Sequence, residues 1–429
     1  MTAPEKQERG TKGTWTRRGV LAGLLGAPVL LVAACNDPAS SSGSAASGTT
    51  AAGVGGAPAA GATGSPSSSP RTSTARISIS PADGVSTASF TRPITVAVTG
   101  GTLASVTATD GSGRAVPGTR AADGLSWTST GPLASGTRYS VAASAVDKNG
   151  LEADAHAEFA TASPANTFVG YFTPEDGATV GVGMPVTINF NKPVANRRAV
   201  EQAITVTADT GVEVVGHWFS STRLDFRPRD YWAKGTTVTL KLRLKDVEGA
   251  KGVYGTQSKD VRFTVGRSRT SVADLSAHTL TVTTDGQVTA TYPIIGGAPD
   301  HKTWGGKLVI SEQYEQTKMD STTVGLGDEY NIPDVPHAQR LTTSGTFIHG
   351  NYWSPAAAFG TANLSHGCIA LRDVKGGGDA TTDAAVFFAH SMVGDVVEVI
   401  NSGDQTVSPT NGLSGWNLGW ADWKAGSAL

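Results

Sequence analysis

Cysteine is nearly absent from this chain: two occur in 429 residues, Cys35 and Cys368. Their contexts differ so much that no structural disulfide between them is expected. A thiolate metal site is excluded on the same count, because there is no CxxC and His366 with Cys368 supply too few ligands. No cofactor motif is present either. Charge is scarce, at 16% of residues with a formal net charge of −2, and it forms neither a basic stripe nor an acidic run. Nucleic acid is therefore not an expected partner. Long apolar runs are missing as well. The one candidate, Gly19 to Ala34, is too short to span a bilayer comfortably. What is abundant is Gly, at 53, and Pro, at 21, which suits a strand-and-turn protein better than a helical one. The length allows two to four domains, each with its own core.

Residues 1–34 read as an export signal. Lys6, Arg9, Lys12, Arg17 and Arg18 form a basic start, and the uncharged run that follows carries Leu21, Leu24, Leu25, Val29, Leu30, Leu31 and Val32. Arg17-Arg18 before Gly19-Val20-Leu21 resembles a twin-arginine signal, and an ordinary basic n-region fits equally well. The run ends in Leu31-Val32-Ala33-Ala34-Cys35, which resembles a bacterial lipobox with Cys35 as the acylated residue. Acyl chains there would hold the protein at a membrane, at about 0.8 kcal/mol per buried methylene. Residues 36–73 are mostly Ser, Gly, Ala, Thr and Pro, with almost no charge and no aromatic residue. Such a segment cannot bury enough apolar surface to order itself, so it is expected to be a flexible linker with a typical span of roughly 30–35 Å.

Two repeats follow, expected as domains over residues 74–163 and 164–266. Pro81-Ala82-Asp83-Gly84 in the first is echoed by Pro174-Glu175-Asp176-Gly177 in the second. Leu125-Ser126-Trp127 is echoed by Leu224-Asp225-Phe226, and Gly136-Thr137 by Gly235-Thr236. Strand-like runs such as Ile94–Val98 and Val186–Phe190 alternate with Gly, Asp and Asn turns, which suggests two immunoglobulin-like β-sandwiches. They are expected to act as a rigid spacer, with grip on a glycan or a partner protein as the alternative. His156 and His217 are expected to be surface or packing histidines.

From residue 267 to 402 the pattern changes to a β-rich domain. A hairpin is expected around Asp285-Gly286, strands at Lys307–Ser311, Gly345–His349 and Asp395–Ile400, and a short helix at Ala384–His390. Residues 403–429 carry Trp416, Trp420 and Trp423. Three exposed indoles would promote aggregation, so this Trp-rich subdomain is expected to pack against a domain.

The stretch Ser365-His366-Gly367-Cys368, with His349 nineteen residues before the cysteine, carries the chemistry. A thiol needs deprotonation to act as a nucleophile, and a histidine at a strand end can return to its side as base. Gly367 permits close backbone approach, so that the Gly367 and Cys368 N–H groups can face a developing oxyanion. His366 stands ready to position or polarise the thiol. An exported chain that keeps one thiol beyond its lipid anchor exposes it to oxidation, which favours a use for it.

This pattern resembles the signature of the YkuD-type L,D-transpeptidases: a histidine, then Ser/Thr-His-Gly-Cys. The stretches Met319–Thr323 and Thr343–His349 and the tail from Trp416 to Gly426 are similar to multidomain actinobacterial members of that family. The resemblance implies a mainly β protein, with two immunoglobulin-like domains before an L,D-transpeptidase domain. It implies formation of 3→3 peptidoglycan cross-links through a thioester on Cys368, with release of D-alanine from tetrapeptide stems. His349 would be the proton donor and acceptor, and the backbone carbonyl of Gly350 would orient it. Tyr330, Ser344, Gly345, Met319, Trp353 and Ser365 would contact substrate. The implied partners are donor and acceptor stem peptides, with carbapenem β-lactams as covalent inhibitors; the implied location is the outer face of the cell membrane. Two positions depart from the family pattern. Gly350 stands where Ser is common, and Ala370 where Asn or Arg is usual. Two rivals remain open at this point: an L,D-carboxypeptidase that resolves the same acyl-enzyme with water, and a non-catalytic peptidoglycan-binding lipoprotein.

Overall fold

Residues 71–429 are described by a computed structural model. The export signal, Cys35 and all of the linker but residues 71–73 lie outside the described residues.

Alternation of apolar and polar residues sets the first two domains. Thr95–Thr99, for example, buries Val96 and Val98 and exposes the residues between them. The first domain packs a four-stranded sheet against a three-stranded sheet made of Gly101–Asp110, Arg138–Asp147 and Glu152–Ala160. The second places two four-stranded sheets face to face around a core that includes Val186, Ile188, Leu224, Leu240 and Phe263. The repeat is physical as well as textual. Gly84 and Gly177 both have φ of 76°. Their N–H groups donate to the Glu158 and Arg262 carbonyls, at 2.8 and 2.7 Å. The preceding carboxylates, Asp83 and Asp176, accept from the N–H groups of those same two residues, Glu158 and Arg262.

Residues 269–400 carry one nine-stranded sheet. Its strands are β1 (Arg269–Asp274), β2 (Thr279–Thr284), β3 (Gln287–Ile295), β4 (Gly306–Val309), β5 (Glu312–Asp320), β6 (Asn331–Arg340), β7 (Phe347–Asn351), β8 (Ile369–Arg372) and β9 (Val396–Ile400). The order is β4-β9-β1-β2-β3-β8-β7-β6-β5. Only β1–β9 and β7–β8 run parallel; the other pairs are antiparallel. The β2–β3 hairpin turns at Asp285 and Gly286, with φ of 51° and 83°, as a two-residue turn with both φ positive demands. Helix α1 (Asp383–Ala389) is capped by the Thr382 side chain and buries Phe387 in the core beside the sheet.

The second sandwich and this sheet share a core. Val309 and Val396 pack in one cluster with Val182, Val265 and Trp416. The backbones meet directly: Gly181 N–H donates to Val393 O at 2.8 Å and Gly183 N–H to Gly394 O at 2.9 Å. A Cβ at Gly181 would lie 2.2 Å from Asp395 N, so no larger residue fits there. The tail closes this junction. Trp423 is wholly buried, donates to Val215 O at 2.9 Å and stacks on His217. Trp416 donates to Gly183 O at 2.7 Å.

Candidate active site

Parallel pairing of β7 with β8 creates the site. His349 lies opposite Ala370, two residues beyond Cys368 on the same side of the ladder, so the imidazole and the thiol share a face. Both line one cavity of about 210 Å³, together with Met319, Tyr330, Trp353, Ser365 and His366. Ile295, Ile332, Asn351, Ser354 and Leu364 complete it. A larger groove, of about 590 Å³, lies on the first sandwich, but its lining carries neither thiol nor imidazole.

Cys368 is almost fully buried. Its Sγ accepts from the Phe347 N–H at 3.4 Å and lies 3.8 Å from the Gly345 carbonyl, to which the thiol proton points. Burial pushes the thiol up to about 11, opposed by that one backbone N–H. His349 is buried too, and burial holds its pKa below the usual imidazole range against smaller opposing effects of the Gly350 carbonyl and Asp373. At neutral pH both partners therefore rest uncharged. His349 Nδ1 lies 2.8 Å from Gly350 O. A carbonyl can only accept, so Nδ1 carries the hydrogen and Nε2 keeps its lone pair. The Trp353 ring stacks beside the imidazole, with centroids 5.8 Å apart and planes 18° from parallel.

The loop before β8 is held from both ends. Ser365 N–H donates to Gly296 O, and Ser365 Oγ donates to Cys368 O at 2.6 Å. Gly367 has φ of 101°, which favours glycine. Among the described residues its N–H donates to no acceptor. The Tyr330 ring lies beside His366, tilted at 55° with centroids 5.0 Å apart, and burial pushes its hydroxyl up to about 12. Ser344 lies outside the cavity: its Oγ accepts from Asn411 Nδ2 at 2.8 Å, tying it to the tail.

Both departures from the family pattern have local causes. A Cβ at Gly350 would lie 2.1 Å from Asp373 Oδ2. That carboxylate is fixed by His337 Nδ1 at 2.7 Å, by Thr382 Oγ1 and by the Val374 N–H. The Gly350 carbonyl still reaches His349. Ala370 is fully buried behind the cavity wall, where it packs with Ile295, Ala358 and Phe359, and it does not itself line the cavity.

Sequence reasoning passed over Asn351, Asp373, His301 and Glu329. Asn351 Oδ1 accepts from the Trp353 and Ser354 N–H groups at 3.0 and 2.9 Å, a turn that Asn before a bend signals. For Asp373 the available sign was a glycine inside a strand, which often marks close approach. His301 and Glu329 meet His366 only through the fold.

Comparison with known proteins gives a consistent picture. Residues 268–399 match the YkuD family, the L,D-transpeptidase catalytic domain, and residues 85–248 match a bacterial Ig domain. The chain is 33% identical to L,D-transpeptidase 2 of Mycobacterium tuberculosis (strain CDC 1551 / Oshkosh) over 358 residues, which cover 82% of this chain and 85% of that protein. It is 32% identical to L,D-transpeptidase 5 of M. tuberculosis (strain H37Rv), covering 82% of this chain and 77% of that one. Among solved structures, an LD-transpeptidase in complex with imipenem aligns at 32% identity with a TM-score of 0.46, over 55% of this chain and 100% of the other.

Proposed function

Since this chain belongs to the L,D-transpeptidase family of cysteine-dependent peptidoglycan enzymes, we propose that Cys368 forms a thioester acyl-enzyme and that His349 moves its protons. The observation that carries this reading is the shared cavity, in which Nδ1 of His349 is committed to Gly350 O and Nε2 is free. As the Cys368 sulfur attacks the carbonyl of the third residue of a tetrapeptide stem, Nε2 accepts the thiol proton. The Gly367 N–H stabilises the oxyanion. The bond to the terminal D-alanine breaks, and the proton passes from His349 to the leaving amine. The side-chain amine of a second stem then attacks the thioester, giving a 3→3 cross-link. Its proton returns through His349 to the departing sulfur. Met319, Tyr330, Trp353 and Ser365 line the binding cavity, and His366 flanks the thiol from the same loop. Carbapenems, as strained acyl donors, would acylate the same sulfur.

This reading sets the enzyme outside the cytoplasmic membrane, held by acyl chains on Cys35 and lifted from the lipid by residues 36–73. The apolar run ending in Ala33-Ala34-Cys35 supports it. Cys35→Ala is expected to move the protein from the membrane to the soluble fraction.

The catalytic reading is tested by intact mass after carbapenem exposure and by a muropeptide assay. One adduct on the wild type and none on Cys368→Ala is expected, with cross-linked dimer formed when donor and acceptor are both supplied. An adduct of equal extent on Cys368→Ala would overturn the nucleophile. Tripeptide without dimer would make the enzyme a carboxypeptidase.

A further inference from the structure

Beside the cavity three side chains converge that the acyl-transfer chemistry does not need as a set. His301 Nε2 and His366 Nε2 each lie 3.2 Å from the same oxygen, Glu329 Oε2. All three donor atoms fall within 4.8 Å of one another. We propose that His301, Glu329 and His366 form a binding site for a divalent metal ion of the zinc class at the mouth of the cavity, tying the loop of residues 321–330 to the catalytic loop.

The donor set and its spacing both fit. Two imidazoles and one carboxylate are ligands that zinc accepts, with a fourth position open to water. In a tetrahedral site with bonds of about 2.0–2.1 Å, neighbouring ligand atoms stand about 3.3 Å apart. The two nitrogen-to-oxygen separations already have that length. A further oxygen is close, since Asp300 Oδ2 lies 3.9 Å from His301 Nε2. The site is open to solvent: Glu329 and His366 are exposed, and about a quarter of the His301 side chain is accessible.

The frame behind the imidazoles is rigid. Ala298 N–H donates to Ser365 O, Ser365 N–H to Gly296 O, and Gly297 N–H to Thr303 Oγ1. The segment that carries His301 is thus fastened to the strand of chain that carries His366. Glu329 stands on the other side, in the loop between β5 and β6, next to Tyr330 in the cavity wall. A metal ion would pull this loop onto the fixed pair and set the position of Tyr330. The thiol is not a member of the set, so the ion would leave Cys368 unligated.

The test uses the full chain and Zn²⁺ alone, followed by titration calorimetry and by hydrogen exchange of residues 321–330. One ion per chain is expected, bound at micromolar concentration and equally well by Cys368→Ala. Affinity should fall tenfold or more in His301→Ala and in Glu329→Gln, whose exposed side chain can be changed without disturbing the core. Zn²⁺ should slow exchange in residues 321–330 of the wild type and not of Glu329→Gln. Absence of saturable binding overturns the proposal. So does binding that is lost in Cys368→Ala yet kept in His301→Ala, which would place the ion on the thiol. Because Zn²⁺ binding is also read in Cys368→Ala, which cannot form an acyl-enzyme, failure here is separate from failure of the acyl-transfer reading.

Discussion

A buried thiol raised to about 11 is ionised to roughly one part in ten thousand at neutral pH, so Cys368 depends on proton transfer to His349 at the moment of attack. The same shift couples to stability. The folded pKa lies above the ordinary value of 9, so the folded state holds the proton more tightly than the unfolded chain. Its stabilising contribution is complete below that value and declines as pH rises towards the folded pKa. Between about pH 8 and about pH 10.5, the wild type should lose about 2 kcal/mol more than Cys368→Ser, read from denaturant midpoints of the two proteins. Equal losses would mean that the thiol is better solvated than its burial implies. Gly350 gives a second expectation at this scale. Gly350→Ala drives a methyl into Asp373, which His337 and Thr382 hold in place. Overpacking of this kind costs about 1–3 kcal/mol, and the denaturation midpoint should fall accordingly. Individual residues were unevenly legible. Cys368 and His349 carried their chemistry in their type and spacing. Asp373 did not, because its role comes from a strand neighbour that only register reveals.

Among the elements, the hairpin at Asp285-Gly286 and helix α1 could be read locally, since turn chemistry and a Thr cap are written in adjacent residues. The β5–β6 hairpin could not. Glu312–Asp320 is polar along most of its length and largely unburied, and Asn331–Arg340 contains Pro333 and Pro336, which argue against a strand. Pairing with the edge of the sheet overrides both signals, and the loop between them brings Glu329 and Tyr330 to the cavity. The turn after β7 is held by a single side chain. Asn351 is buried, accepts from the Trp353 and Ser354 N–H groups and donates to Ser354 Oγ at 2.9 Å. Asn351→Ala leaves those donors without that partner, at about 0.5–2 kcal/mol by analogy with a lost helix cap. Trp353 would then no longer be held beside His349. Carbapenem acylation should slow several-fold while the melting temperature changes by only a few degrees. A large fall in melting temperature with unchanged acylation would show that the turn supports the core rather than the imidazole.

At the scale of the whole molecule, two sandwiches, a β-rich domain and a tail in need of packing were legible in the sequence, but not what the tail packs against. Its partners are distant in the chain: Val215 and His217 for Trp423, Gly183 for Trp416. Arg227, nearly inaccessible, sits over the Trp416 and Trp423 rings at 4.6 and 4.2 Å and donates to Leu418 O at 2.9 Å. Helix α2 (Trp420–Ala425) is too short to persist alone, so packing must hold it. The tail also reaches the turn before β7, through Asn411 on Ser344. Because Val309, Val396 and Trp416 share one cluster with the second sandwich, that sandwich and the catalytic sheet should unfold together. Trp423→Ala removes the largest wholly buried side chain among the described residues and should cost about 3–5 kcal/mol. Calorimetry of the wild type is expected to show the second sandwich and the catalytic sheet in one transition. In Trp423→Ala that transition should move down or divide, while the transition of the first sandwich, whose core cluster meets the second sandwich through Tyr254 and lies away from Trp423, stays in place. A uniform downward shift of every transition would instead mean that all three domains form one cooperative unit.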